Sequence, residues 1–156
     1  MKHNYWLVVI LIMGIADAAW AQAPGVVRAT DFVLVDDQGR ERAVLMMISS
    51  GPILGLLDEN GKPRILLAVD KGEPCLDLFD ENGKRRVGLL LAKGEPWLNL
   101  LDEKGERRVG LSLLMDIPEL KLLDENGKPR IVLAVSKDGS WLDLFDENGK
   151  TIWSAP

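Results

Sequence analysis

The residues of this chain best suited to chemistry are tryptophans that stand beside hydrogen-bonding side chains, and the chemistry they suit is binding. Trp97 precedes Asn99 by two residues and Trp141 precedes Asp143 by two, so on a strand each indole shares a face with an amide or a carboxylate. Aromatic surface of that kind marks binding, to a cell-wall glycan by stacking or to a partner protein as an anchor. Between them Glu119 occupies the tryptophan's position in a segment, Met115-Asp116-Ile117-Pro118-Glu119, that also lacks the glycine of its counterparts. Trp97, Asn99, Glu119, Trp141 and Asp143 are therefore the candidate partner or glycan surface.

Catalytic chemistry has far less to work with. His3 is the only histidine and Tyr5 the only tyrosine, and both fall in an N-terminal leader. Past it there is no Ser-His or Cys-His pair, no histidine ligand for a metal and no glycine-rich phosphate loop. Asp80-x-Asn82-Gly83 resembles a fragment of a calcium loop, yet the later bidentate glutamate of an EF-hand is missing. Neither an enzyme, a metal site nor a cofactor is expected.

The elements that position these residues are repeats. Asp36, Asp58, Asp80, Asp102, Asp124 and Asp146 each open an Asp-x-x-Gly turn, so the chain carries six copies of a 22-residue unit without slippage. Apolar residues alternate on both sides of the turn, Leu76 and Leu78 before it and Val87, Leu89 and Leu91 after it, which is the period of a strand. Asn-Gly at 60–61, 82–83, 126–127 and 148–149 predicts a type I′ hairpin with two turn residues. That register pairs Glu81 with Lys84, Asp80 with Arg85, Phe79 with Arg86, Leu78 with Val87 and Leu76 with Leu89. It predicts Leu76, Leu78, Val87 and Leu89 on a buried face, with Arg86 and Asp77 outside it. Trp153, in the column of Val87, is expected to be better protected than Trp97 and Trp141.

A 22-residue unit cannot hold two such turns, because two nine-residue strands break the hydrogen-bonding parity that a meander requires. A looser loop of four residues, Asp70 to Glu73, restores it, and Pro52, Pro74, Pro96 and Pro118 then begin strands. The expected fold is all-β: an antiparallel meander of twelve strands over residues 30–156, closed or flattened as a barrel. The alternative is a parallel β-solenoid, which would stack Arg42, Arg64, Arg86, Arg108 and Arg130 as a like-charge ladder at ~4.8 Å. Cys75, the only cysteine, sits in a variable column with Asp31, Ile53, Trp97, Glu119 and Trp141 and is read as structural.

Residues 1–21 read as a signal peptide: Lys2 and His3 lead an apolar run from Trp6 to Ile15, and Ala19-Trp20-Ala21 suits a signal peptidase. Their other reading is a retained anchor helix over residues 6–20 that holds the chain at the inner membrane and plugs the barrel. Residues 22–29 are a linker. With 19 basic and 24 acidic residues and a net charge of -5, of which Lys2 and Asp17 belong to the leader, the surface does not suit nucleic acid.

The run Leu-x-Leu-x-Asp-x-x-Gly-Lys-x-Arg, present as Leu76 to Arg86 and Leu120 to Arg130, resembles the tandem repeats of uncharacterised secreted bacterial proteins and, in design, the shallow repeat-built barrels called β-flowers. Bacterial YD repeats share the Asp-x-x-Gly hairpin but carry a tyrosine where this chain has Phe79, Leu101 or Leu123. A closed barrel with a helix inside would be similar to the tubby and scramblase barrel. The resemblance implies a fold and brings no activity onto named residues.

These readings lead to a secreted, non-enzymatic structural or interaction module of the periplasm or cell surface. The alternative is a membrane-tethered barrel with a lipid-associated role, in which membrane contact depends on retention of the N-terminal segment. A barrel spanning the outer membrane is a third reading, weakened by short strands and absent tyrosine girdles.

Overall fold

A computed structural model describes residues 26–156, so the leader, its two readings and part of the linker lie outside the described residues. The rest forms twelve strands: β1 Asp31–Val35, β2 Glu41–Ile48, β3 Gly51–Leu57, β4 Pro63–Asp70, β5 Glu73–Phe79, β6 Arg85–Ala92, β7 Glu95–Leu101, β8 Arg107–Leu114, β9 Ile117–Leu123, β10 Pro129–Ser136, β11 Gly139–Phe145 and β12 Thr151–Ala155. They lie in one antiparallel sheet in chain order, each strand paired only with its sequence neighbours. All pairing is antiparallel, which removes the solenoid. β1 pairs only with β2 and β12 only with β11, so the sheet is open and its strands enclose no lumen for a helix to plug.

The apolar alternation fixes the register as expected beyond the turns, with Leu78 opposite Val87 and Leu76 opposite Leu89. The turns themselves are reversed from expectation. At Asn82-Gly83 only the glycine has positive φ (78°), and the Asp80 carbonyl accepts from the Gly83 N–H at 3.0 Å while the Asp80 N–H donates to the Lys84 carbonyl at 2.9 Å. This is a three-residue loop built on a type I turn with glycine in the left-handed region. The true type I′ turns are three of the five other connections, Lys71-Gly72 (50°, 90°), Lys93-Gly94 (53°, 85°) and Met115-Asp116 (50°, 64°), and Asp70 pairs directly with Glu73 instead of opening a four-residue loop.

A bulge absorbs the odd residue. Phe79 faces Arg85 while Leu78 faces Val87, leaving Arg86 as the extra residue of β6. The same shift leaves Arg42, Arg64, Arg108 and Arg130 unpaired in β2, β4, β8 and β10, so the whole arginine column is a column of β-bulges. The expected pairs Phe79–Arg86, Asp80–Arg85 and Glu81–Lys84 do not form. A three-residue loop with its bulge gives the same register at Leu78 as a two-residue turn, so the apolar pattern does not distinguish the two.

Burial also runs opposite to expectation. One face presents three apolar rows across the sheet; its middle row runs Leu45, Leu54, Leu67, Leu76, Leu89, Leu98, Leu111, Leu120, Leu133 and Leu142. This face is open: Leu89 is 48 % exposed, whereas Asp77 on the other face is buried at 9 %. Among the described residues there is a single layer with no second element over either side, so a residue is buried only by taller neighbours on its own face. The mixed face provides them, because Gly88, Gly110, Ser112 and Ala134 lie low among Leu90, Trp97, Glu119 and Trp141. Ala134, flanked by Glu119 and Trp141, is 1 % exposed.

Met115 and Asp116 carry a conformational cost that glycine would not, since an L-residue in the left-handed region is disfavoured by roughly 1–2 kcal/mol. Replacing them with the Asn-Gly pair that type I′ turns prefer should raise stability by about 1 kcal/mol, read as a higher urea midpoint at unchanged slope. An unchanged midpoint would mean that the turn is not in this conformation in solution.

Candidate functional site

The strand register places all five candidate residues on the mixed face. Trp97, Ser112, Glu119, Ala134 and Trp141 are successive partners across β7 to β11 and so form one row. Asn99, Gly110, Lys121, Val132 and Asp143 form the adjacent row. Large or polar groups stand on the odd strands and small ones on the even strands between them, because successive units repeat every two strands. At ~4.8 Å per strand the two indoles are about 19 Å apart with Glu119 midway.

Neighbours that the sequence reading missed tune each member. Arg107 lies with its guanidinium carbon 5.9 Å from the Trp97 ring centroid, a cation–π contact. Gly110 lies under that side chain: a Cβ there would meet Arg107 at 3.6 Å, an ordinary packing distance. One unit earlier the equivalent Arg85 covers Gly88 and donates to Asp77 Oδ1 at 3.4 Å. Asn99 replaces that aspartate, and its Oδ1 is buried without a hydrogen-bond partner. Lys121 Nζ pairs with Glu119 Oε1 at 2.6 Å, and Ser154 Oγ donates to Asp143 Oδ1 at 2.5 Å. The signal available in the sequence was the repeat itself, since Arg107 stands 22 residues after Arg85.

Exposure of the indoles corrects a further expectation. Trp153, in the row of Val87, is not the protected indole; it lies on the open apolar face and is 48 % exposed. Trp97 and Trp141 are half-buried. Cys75, in the same row as Trp97, is a half-buried free thiol whose pKa is pushed up by burial and by the carboxylates of Asp77 and Asp70, so it stays protonated and a poor nucleophile at neutral pH. No cluster of three or more metal-ligating side chains occurs among the described residues.

At the end of the sheet that carries the bulges, the repeated aspartate closes the turn. Asp80 Oδ1 accepts from the N–H groups of Asn82 at 2.9 Å and Lys84 at 3.0 Å, and its Oδ2 lies 3.5 Å from Arg86 Nη1. Arg86 Nε, swung sideways by the bulge, donates to the Leu101 carbonyl of the next unit at 3.0 Å, and Lys84 Nζ donates to the Glu103 carbonyl at 2.7 Å. Arg64, Arg108 and Arg130 repeat the bond to Phe79, Leu123 and Phe145. The arginine column is thus occupied in joining hairpins and is salt-bridged to its own aspartates. Arg42 Nε is the exception, buried without a partner.

No family model and no curated protein matches the chain. Among solved structures, a mutant of S. aureus TarM in complex with fondaparinux, alpha-GlcNAc-glycerol and UDP is similar at 15 % identity and a TM-score of 0.36, over 70 % of this chain and 21 % of that one. A likeness that partial carries no statement about activity.

The turn aspartates make stability acid-sensitive. Asp36 is lowered to about 2, chiefly by the Arg40 N–H, with the Arg40 side chain and the Gln38 N–H adding to it against partial desolvation. Asp58, Asp80 and Asp124 are lowered chiefly by the N–H groups of Lys62, Lys84 and Lys128; at Asp102 desolvation opposes, and the Glu106 and Lys104 N–H groups prevail. A carboxylate with a depressed folded-state pKa adds stability above its unfolded value of ~3.9 and loses it as pH falls through the folded value. The thermal midpoint by circular dichroism should therefore be flat above about pH 5 and fall between about pH 4 and pH 2. Asp80→Asn, which keeps an acceptor for the turn but does not titrate, should lower the plateau and make the fall shallower.

Proposed function

We propose that this chain is a secreted, non-enzymatic interaction module of the periplasm or cell surface, and that it meets a cell-wall glycan or a partner protein through the row Trp97, Glu119 and Trp141 with Asn99 and Asp143 beside it. The supporting observation is the alternation along that row. Two indoles and a carboxylate rise on odd strands above a floor of Ser112 and Ala134, with an amide and a carboxylate one row away. The C–H faces of sugar rings, or the aromatic rings of a partner protein, pack on indole faces while hydroxyl or amide groups find donors and acceptors at fixed spacing.

The two ends of the row differ. Trp97 is capped by Arg107, whereas the position equivalent to Arg107 for Trp141 is Thr151, which brings no cation. Trp141 is then the open end, and a ligand reaching Trp97 must displace or stack with Arg107.

The test is fluorescence of single Trp→Phe variants titrated with peptidoglycan fragments and with candidate surface proteins. Ligand should shift emission and slow acrylamide quenching in the parent, Trp141→Phe should abolish most of the change, and Arg107→Ala should make Trp97 more quenchable without ligand. A full set of glycans and proteins that leaves Trp97 and Trp141 unperturbed would remove this reading.

A further inference from the structure

The mixed face covers itself and the apolar face does not. Across β2 to β11 the three apolar rows contain no charged side chain, and Leu67, Leu89 and Leu111 of the middle row are 49 %, 48 % and 48 % exposed. Twelve strands at ~4.8 Å, each of about seven residues at ~3.4 Å, give a face of roughly 1,400 Å². Stable interfaces cover about 800 Å² per partner, and the largest apolar patch of an ordinary monomer is about 300–600 Å².

We propose that this face is closed by the same face of a second copy, giving a two-layer sandwich of two twelve-stranded sheets. An apolar surface that large, without one charge to match, fits an equally apolar and equally large sheet, and two such faces pack at ~10 Å with their side chains interleaved. The relief suits self-pairing: hollows between Pro74 and Pro96 and between Pro96 and Pro118 recur once per unit, and leucine ridges recur at the same period. A two-fold axis lets the ridges of each copy enter the hollows of the other and closes the assembly at two.

Other occupants fit less well. The run Trp6 to Ile15, even as a helix, is about 15 Å long and ~10 Å wide, so it would cover roughly 150 Å², a tenth of the face. An anionic bilayer would meet a chain of net charge -5 whose turns place Asp70, Glu73, Glu95 and Glu81 along both ends of the sheet.

Sedimentation equilibrium of the full chain should give twice the monomer mass, and Leu89→Lys with Leu111→Lys should raise the dissociation constant on the order of 100-fold or more, because each charge is buried twice. Should that variant fail to fold, Leu111→Trp in a chain whose five native tryptophans are replaced by phenylalanine gives a second reading: its emission should move to the blue as protein concentration rises. A monomer across the micromolar range, a dimer that survives the two lysines, or a monomer that floats with phosphatidylcholine vesicles would each overturn the proposal. None of these readouts depends on Trp97 or Trp141, so the binding row and the dimer stand or fall separately.

Discussion

A parity constraint governs this molecule. An antiparallel meander demands that each strand present its ends to opposite neighbours, and a 22-residue unit with a three-residue and a two-residue turn has one residue too many. The bulge at Arg86 and its equivalents absorbs that residue, and the side chain it expels is the one that ties each hairpin to the next. Arginine suits the position because its fork can salt-bridge Asp80 and donate to a backbone carbonyl from different nitrogens. A feature that looks like a defect in the ladder is thus the lateral joint of the sheet.

The opposite end uses a different joint. There Glu73 Oε1 accepts from the Lys93 N–H at 2.9 Å and Glu95 Oε1 from the Met115 N–H at 3.0 Å, so a glutamate at the start of one unit holds the tight turn of the next. Both ends of the strands are therefore cross-linked in the same direction along the chain. The broad faces are left free to differ, and they do: one is mainly leucine, valine, isoleucine and proline, the other a pattern of tall and short side chains.

Much of the fold was legible because it rests on period alone. Leu76, Leu78, Val87 and Leu89 alternate, and alternation sets register without knowledge of the turn. The turn was harder, since Asn-Gly serves both a type I′ pair and a type I turn closed by a left-handed glycine, and the decisive group was Asp80, whose carboxylate caps the second kind. Which face is buried was not legible from apolarity. In a lone sheet burial follows the height of neighbours, so Ala134 and Asp77 are covered while Leu89 and Trp153 are not. The candidate row was legible in part: the shared column of Trp97, Glu119 and Trp141 was visible as repeat spacing, but Arg107 over Trp97 required the bulge and the glycine floor to be known.

Because every strand of the sheet meets only the strands before and after it in the chain, contact order is low for a protein made entirely of β-structure. Such a sheet assembles by local hairpin closures of about ten residues, each adding to an edge already formed, and need not wait for distant segments to meet. Nucleation can begin at any of the six units and spread both ways, as in linear repeat arrays. Loss or gain of a whole unit would leave every remaining turn, bulge and joint in phase, so the width of this sheet is a quantity that can change by steps of two strands without a new fold having to be found.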